Sequence, residues 1–130
     1  MYYIRMNAYA KINIGLDVIN RRDDGYHNVS MIMQSVNLYD NITISKNSSN
    51  KIIVRTNLPY LPTDKKNLVY SAAQLFQEVT GINSGLLITL KKRIPVAAGL
   101  AGGSADAAAT LMGLNKLFNT GLTKDELCKL

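Results

Sequence analysis

Between Pro95 and Ala108 the chain reads Pro-Val-Ala-Ala-Gly-Leu-Ala-Gly-Gly-Ser-Ala-Asp-Ala-Ala, and no other stretch restricts the fold so tightly. Glycines at 99, 102 and 103 disfavour the interior of a strand or a helix, whereas the alanines that follow are the best helix formers. The segment therefore predicts a loop that opens into a helix spanning Ala105 to Phe118. That helix begins at Ser104 or just before it, with Asp106 in its first turn where the helix dipole favours an acid. Upstream, the apolar run Leu86 to Leu90 ends in Lys91-Lys92-Arg93 and predicts a short strand that delivers the chain to Ile94-Pro95.

A glycine loop running into a helix N-terminus aims unpaired backbone N–H groups and the positive end of a dipole at one point, an arrangement that suits a phosphate chain. Glycine allows the backbone to come close, and the small Ala101, Ala105 and Ala107 keep that approach open. The Ser104 hydroxyl can bond a phosphate oxygen or ligate Mg²⁺. The same residues also suit a tight turn into a helix packed closely on a sheet. Neither G-x-x-x-x-G-K-[ST] nor G-x-G-x-x-G is present, so the common nucleotide fingerprints do not apply.

The N-terminal half alternates in period two. Ile12, Ile14, Leu16 and Val18 share one face of a predicted strand, and further strands are expected around Ser30 to Tyr39, Asn41 to Lys46 and Lys51 to Thr56. The last two flank Asn47-Ser48-Ser49-Asn50, which suggests a hairpin. Leu58 to Pro62 is loop. Leu68, Ala72, Leu75, Phe76 and Val79 then recur at helical spacing up to Gly81, a glycine stop. Thr123 and Glu126 have the spacing of a capping box that announces another helix, too short to be stable without packing. Strands, helix, strand, glycine loop and helix make an α+β domain whose sheet is mostly antiparallel.

With 130 residues, 47% of them hydrophobic, the chain can bury one core. The single cysteine, Cys128, excludes an internal disulfide, and with a single histidine it argues against a Cys/His zinc site. No apolar run is long enough to span a bilayer, and Arg5 and Lys11 interrupt the N-terminal apolar stretch, so a reducing cytoplasm is the expected compartment. A net charge of +6 favours anionic partners without choosing among them.

Two further segments carry candidate chemistry. Lys11 and Asn13 lie on the strand face opposite Ile12 and Ile14, where they either face water or form a polar surface. The turn signal Asp24-Gly25 follows Arg21-Arg22-Asp23 and places Tyr26 and His27 beside that surface. His27 is open to three roles: general base, ligand contact or surface residue. Asn67, ahead of Leu68 and Val69, reads locally as an N-cap rather than a ligand contact.

Ala10-Lys11-Ile12-Asn13, Arg21 to His27, Asn67-Leu68-Val69 and Pro95 to Ala108, in this order and spacing, resemble the GHMP family of small-molecule kinases. The resemblance implies a ribosomal protein S5 domain 2-like fold that binds ATP with Mg²⁺. It places the triphosphate on Pro95, Val96, Ala97, Ala98, Gly99, Leu100, Ala101, Gly102, Gly103, Ser104 and Ala105, and Asn67 near the adenine. It further implies that Lys11 belongs to the catalytic centre, and that Asn13, Tyr26 and His27 belong to a methylerythritol cytidine diphosphate site. Tyr26 would stack on the cytosine and His27 would hydrogen-bond it. The family's aspartate base is expected beyond residue 130, because Asp106 follows the loop too closely. The 130 residues are accordingly expected to be the N-terminal ATP-binding part of a longer kinase and inactive without the rest.

Small-molecule partners are implied, with neither nucleic acid nor membrane. The alternatives are a GHMP kinase acting on homoserine, mevalonate or a sugar, and a basic RNA-binding domain of the same fold.

Overall fold

The computed structural model describes residues 2–21, 27–96 and 102–130, and over 12–21 and 27–35 it describes the backbone path. Two long strands, β1 (Tyr3–Arg21) and β2 (His27–Asn47), form an antiparallel ribbon that pairs Tyr3 with Ser45 at one end and Arg21 with His27 at the other. The separate strands expected at 30–39 and 41–46 are thus one continuous strand. The register shifts between Tyr9 and Lys11, Asn13 and Gly15, and Val18 and Asn20. Such shifts interrupt simple alternation along β1.

β3 (Ile52–Thr56) and β4 (Gly85–Lys91) complete a four-stranded sheet in the order β1-β2-β4-β3. The expected hairpin between 41–46 and 51–56 is therefore not a ladder. The chain does turn at Asn47 to Asn50, but β4 is inserted between β2 and β3, antiparallel to the first and parallel to the second. The reason lies in burial. Leu86, Ile88 and Leu90 are all at most 2% exposed, and a strand this apolar gains more from a central position than from an edge.

Helix α1 (Leu68–Thr80) starts at Asn67, whose side chain caps Val69 N–H, and stops at Gly81 with φ +73°, a left-handed conformation that glycine adopts at least cost. Its buried stripe is Val69, Ala72, Ala73 and Phe76, whereas Leu68 and Val79 are exposed. The face is rotated by one position from the predicted one, because i, i+3, i+4, i+7 counted from Val69 brings Phe76 squarely onto the core.

Helix α2 (Gly102–Phe118) lies across β1 and β2 through Ala109, Leu114 and Leu117. Gly113 permits that close approach, since a Cβ there would sit 2.8 Å from Ile44 Cδ1 and 3.1 Å from Met6 Cγ. The helix starts at Gly102, so Asp106 stands beyond the first turn and is buried, which corrects the expectation that it faces the dipole. The short α3 (Lys124–Cys128) carries the predicted capping box of Thr123 and Glu126, and Leu127 and Leu130 pack against the core.

Candidate functional site

The glycine segment is held at both ends by buried charge. On the entry side, Asp40 Oδ1 accepts hydrogen bonds from Arg93 N–H at 2.6 Å and Ile94 N–H at 2.9 Å. Its other oxygen accepts from Lys92 Nζ at 2.6 Å. The same ammonium donates to Asp106 Oδ2, on the exit helix α2, at 2.9 Å. Asn57, following β3, clamps the Lys92 backbone from the opposite side, accepting from its N–H at 2.8 Å and donating to its carbonyl at 3.1 Å.

Strand alternation explains this placement. Lys92 continues the inward register of Ile88 and Leu90, just past the end of β4, and Asp40 continues that of Ile42 and Ile44 on β2. The lysine side chain is therefore drawn inward, at 6% exposure, while its neighbours Lys91 and Arg93 remain exposed. Arg93 instead lays its guanidinium over the Tyr39 ring, 5.3 Å from the centroid.

Two carboxylates share one ammonium, and their protonation differs accordingly. Burial disfavours the charge on Asp40, but its hydrogen bonds outweigh that effect and hold it below the usual carboxylate range. Asp106 is pushed up to about 7, first by burial and then by the neighbouring Asp40, with Lys92 working against both. Its second oxygen, Oδ1, is buried and has no hydrogen-bond partner among the described residues. Lys92 is raised because its two carboxylate partners overcome the desolvation that would lower it.

The fold brings several of the predicted site residues to this region. Gly102, Gly103 and Ser104 form the first turn of α2, with Ser104 exposed and Ala105 partly buried against the core. Pro95 and Val96 are exposed at the loop entrance. A Cβ on Gly103 would meet Leu68 Cδ1 at 3.1 Å, so the start of α1, with Asn67, lies beside the start of α2. Asn67 itself is engaged locally: Val69 N–H donates to its Oδ1 at 2.9 Å, and its Nδ2 donates to the Pro62 carbonyl at 3.0 Å. Its capping role is as the sequence indicated.

Lys11 is exposed on β1, a few residues beyond Ala8, which pairs with Asp40. The catalytic candidate thus shares a strand pair with the loop's anchor. Asn13 lies opposite Met33, and His27 opposite Arg21 at the far end of the ribbon, so the ladder does not make His27 a neighbour of Lys11. The side chains of Asn13 and His27, and Tyr26, Ala97, Ala98, Gly99, Leu100 and Ala101 entirely, lie outside the described residues. So does the Asp24-Gly25 turn.

The Asp40–Lys92–Asp106 arrangement is not among the candidate sites that the sequence motifs indicate, because Lys92 stands between two other basic residues and its acidic partners lie 52 and 14 positions away. Among the described residues no group of three or more His, Cys, Asp or Glu is arranged to hold a metal ion, and no helix is long and apolar enough to cross a membrane.

The GHMP kinases N terminal domain family matches residues 67–130, from the cap of α1 through the glycine loop to α3. The chain is 55% identical over 130 residues to the 4-diphosphocytidyl-2-C-methyl-D-erythritol kinase of Lachnoclostridium phytofermentans, covering 100% of this chain and 45% of that relative. It is likewise 55% identical over 125 residues to the kinase of the same name from Clostridium botulinum, covering 96% of this chain and 44% of the relative. The chain thus spans somewhat under half the length of the curated relatives it matches. Its structure superposes on a crystal structure of 4-(cytidine 5'-diphospho)-2C-methyl-D-erythritol kinase with a TM-score of 0.81 at 36% identity, covering 97% of this chain and 45% of that one. The fold is of the ribosomal protein S5 domain 2-like type expected. The likeness in sequence runs the length of the chain and that in structure over 97% of it, and the segment from Asn67 to Leu130 belongs to the GHMP kinases N terminal domain family.

Proposed function

We propose that this chain forms the ATP-binding half of a kinase that transfers the γ-phosphate of ATP to the 2-hydroxyl of 4-diphosphocytidyl-2-C-methyl-D-erythritol. The observation that carries this reading is the glycine loop, pinned at both ends and opening into α2, in a chain 55% identical over its full length to kinases of that name. Phosphoryl transfer asks chiefly for positioning and for neutralisation of charge, and these residues can provide both.

The backbone N–H groups of Gly102, Gly103 and Ser104 belong to the first turn of α2, which a helix leaves without intrahelical partners, and such groups suit phosphate oxygens. Arg93, exposed beside the entrance, adds positive charge at the loop. Lys11, exposed on the neighbouring strand, is free to meet the charge that develops on the transferred group and to orient the acceptor hydroxyl. Asn13, Tyr26 and His27 would recognise the cytidine diphosphate end, and Asn67 would lie near the adenine.

The exposed Ser104 hydroxyl, on the first turn of α2, suits Mg²⁺, which takes one or two protein oxygens beside substrate phosphates and water rather than a protein cage. When bound, the ion would neutralise phosphate charge. The family's aspartate base would lie outside these 130 residues and complete the catalytic set.

The decisive experiment is a phosphate-transfer assay on the full-length protein with Mg·ATP and 4-diphosphocytidyl-2-C-methyl-D-erythritol, with homoserine and mevalonate as comparison acceptors. Turnover confined to the cytidine substrate is expected. Preference for another acceptor, or ATP hydrolysis without transfer to any of them, would overturn the reading.

A further inference from the structure

We propose that Lys92 is a positioning residue for the phosphate-binding loop: its ammonium, shared by Asp40 and Asp106, fixes the two ends of the loop against each other and thereby sets nucleotide affinity without touching the nucleotide. This rests on the reading that the 95–105 loop binds ATP.

Three observations converge on it. The loop's entry, Arg93 and Ile94, hangs by its amides from Asp40, and its exit, α2, is joined to the same point through Asp106. The entry's link to Asp40 is direct, and what joins Asp40 to Asp106 is one buried lysine, whose side chain is 6% exposed. Its backbone is clamped in turn by Asn57, so the strut cannot slide along β4. The third observation is steric. A Cβ on Gly102 would come within 3.2 Å of Lys92 Nζ and 3.1 Å of Ile94 Cγ2, so the first residue of α2 is seated directly on the strut. Any change in the separation of Asp40 and Asp106 therefore moves the N–H groups at the start of α2 relative to those at the entrance.

A loop held this way binds its ligand with less ordering cost than one whose ends drift, because the geometry is set before the ligand arrives. Removing the tie should weaken nucleotide binding selectively and leave the other substrate's site alone. Thermodynamic linkage adds a reciprocal consequence: a nucleotide that prefers the tied loop must also tighten the tie.

The test uses the full-length protein and Mg·ATP. Asp106→Ala should raise the KM for ATP about tenfold, leave the KM for the alcohol substrate within twofold, and leave saturated kcat within about threefold. Asp106→Asn, whose amide oxygen can still accept from Lys92, should restore the KM for ATP to within about twofold of the parent. A folded Asp106→Ala with an unchanged KM for ATP, or equal losses for both substrates, would overturn the proposal. An Asp106→Asn as impaired as Asp106→Ala would do the same.

Hydrogen exchange on the unmodified protein decides the matter even if Asp106→Ala does not fold. Saturating Mg·ATP should slow exchange in peptides covering Arg93 and Ile94 at least threefold, and unchanged exchange there, with the loop itself protected, would refute the strut. Should Mg·ATP protect neither the loop nor its ends, and Gly99→Val leave the KM for ATP unaltered, the ATP-loop reading fails as well; those results separate the two failures.

Discussion

Asp40 holds Lys92 by one carboxylate oxygen at 2.6 Å and spends the other on the two backbone amides that follow this lysine in sequence. One fully buried acid on β2 therefore fixes both the side chain and the backbone of the segment that enters the glycine loop. Replacing it strands a buried ammonium on a single partner and leaves two amides unsatisfied. Loss of one member of a buried ion pair costs about 3–5 kcal/mol, and each orphaned amide adds roughly 1–3 kcal/mol. Asp40→Ala should thus remove most of the stability of a domain whose total is about 5–15 kcal/mol. Urea unfolding followed by circular dichroism measures it, and a loss below about 1 kcal/mol would mean that water replaces the carboxylate without penalty.

Asp106 gives the domain a pH dependence opposite in sign to that of an ordinary paired carboxylate. Its proton leaves the unfolded chain near 3.8 and the folded one near 7, so between these values the folded state binds more protons and stability falls as pH rises. The slope from this group is at most about 1.4 kcal/mol per pH unit, and the cost is complete above its folded value. Asp40, held below 3.8, acts only in more acid solution, and Lys92, raised above 10.5, only in more alkaline solution. The expected result is that Asp106→Asn gains stability relative to the parent steadily across pH 4 to 7 and holds a constant difference above it. Parallel stability curves for the two proteins over that interval would show that the carboxyl does not titrate there.

Asn67 carries two local bonds, and substitution separates them. Asn67→Ala removes the cap on Val69 N–H and the tie to the Pro62 carbonyl, a loss of about 1–2 kcal/mol for a cap of this kind. Asn67→Asp keeps an acceptor for the cap and forfeits only the donor to Pro62, so it should cost less than half as much. Thermal unfolding of the two variants distinguishes the roles. Equal destabilisation would transfer the importance of Asn67 from the cap to the Pro62 contact.

Much of this arrangement was legible in the residues, and the parts that were not have physical causes. The glycine loop, the helix after it, the stop at Gly81 and the capping box at Thr123 are local features, decided by backbone freedom and by bonds within one turn. The position of β4 between β2 and β3 was not local. Four turn-forming residues at 47–50 make a reversal of the chain but do not pair the strands on either side, and only the burial of Leu86, Ile88 and Leu90 decides which strand is central. Lys92 was hidden by its neighbours, since a run of three basic residues suggests a solvated surface. Strand alternation carried the missing signal: counting by twos from Leu86 reaches Lys92 as surely as it reaches Leu90. Asp106 could be placed on its helix but not within the core, because burying it depends on a lysine fourteen positions earlier.

Lys11 is the residue on which the chemistry is expected to depend. It is exposed and joins no ion pair among the described residues, so its removal should leave folding intact and isolate its effect on the reaction. Because the phosphates would be held by the loop and the N-terminus of α2, Lys11→Ala should retain ATP affinity within about threefold. A positioned donor acting on charge that develops in the transition state is worth about 10²–10³ in kcat, and a loss of that size is expected in the full-length protein. His27→Ala should instead raise the KM for the cytidine substrate with kcat largely kept, since a recognition contact acts on ground state and transition state alike. Single-turnover kinetics at saturating ATP, with nucleotide binding measured separately, resolve the two. If ATP affinity in Lys11→Ala fell as far as kcat, Lys11 would be a nucleotide-binding residue and the assignment to the catalytic centre would fail.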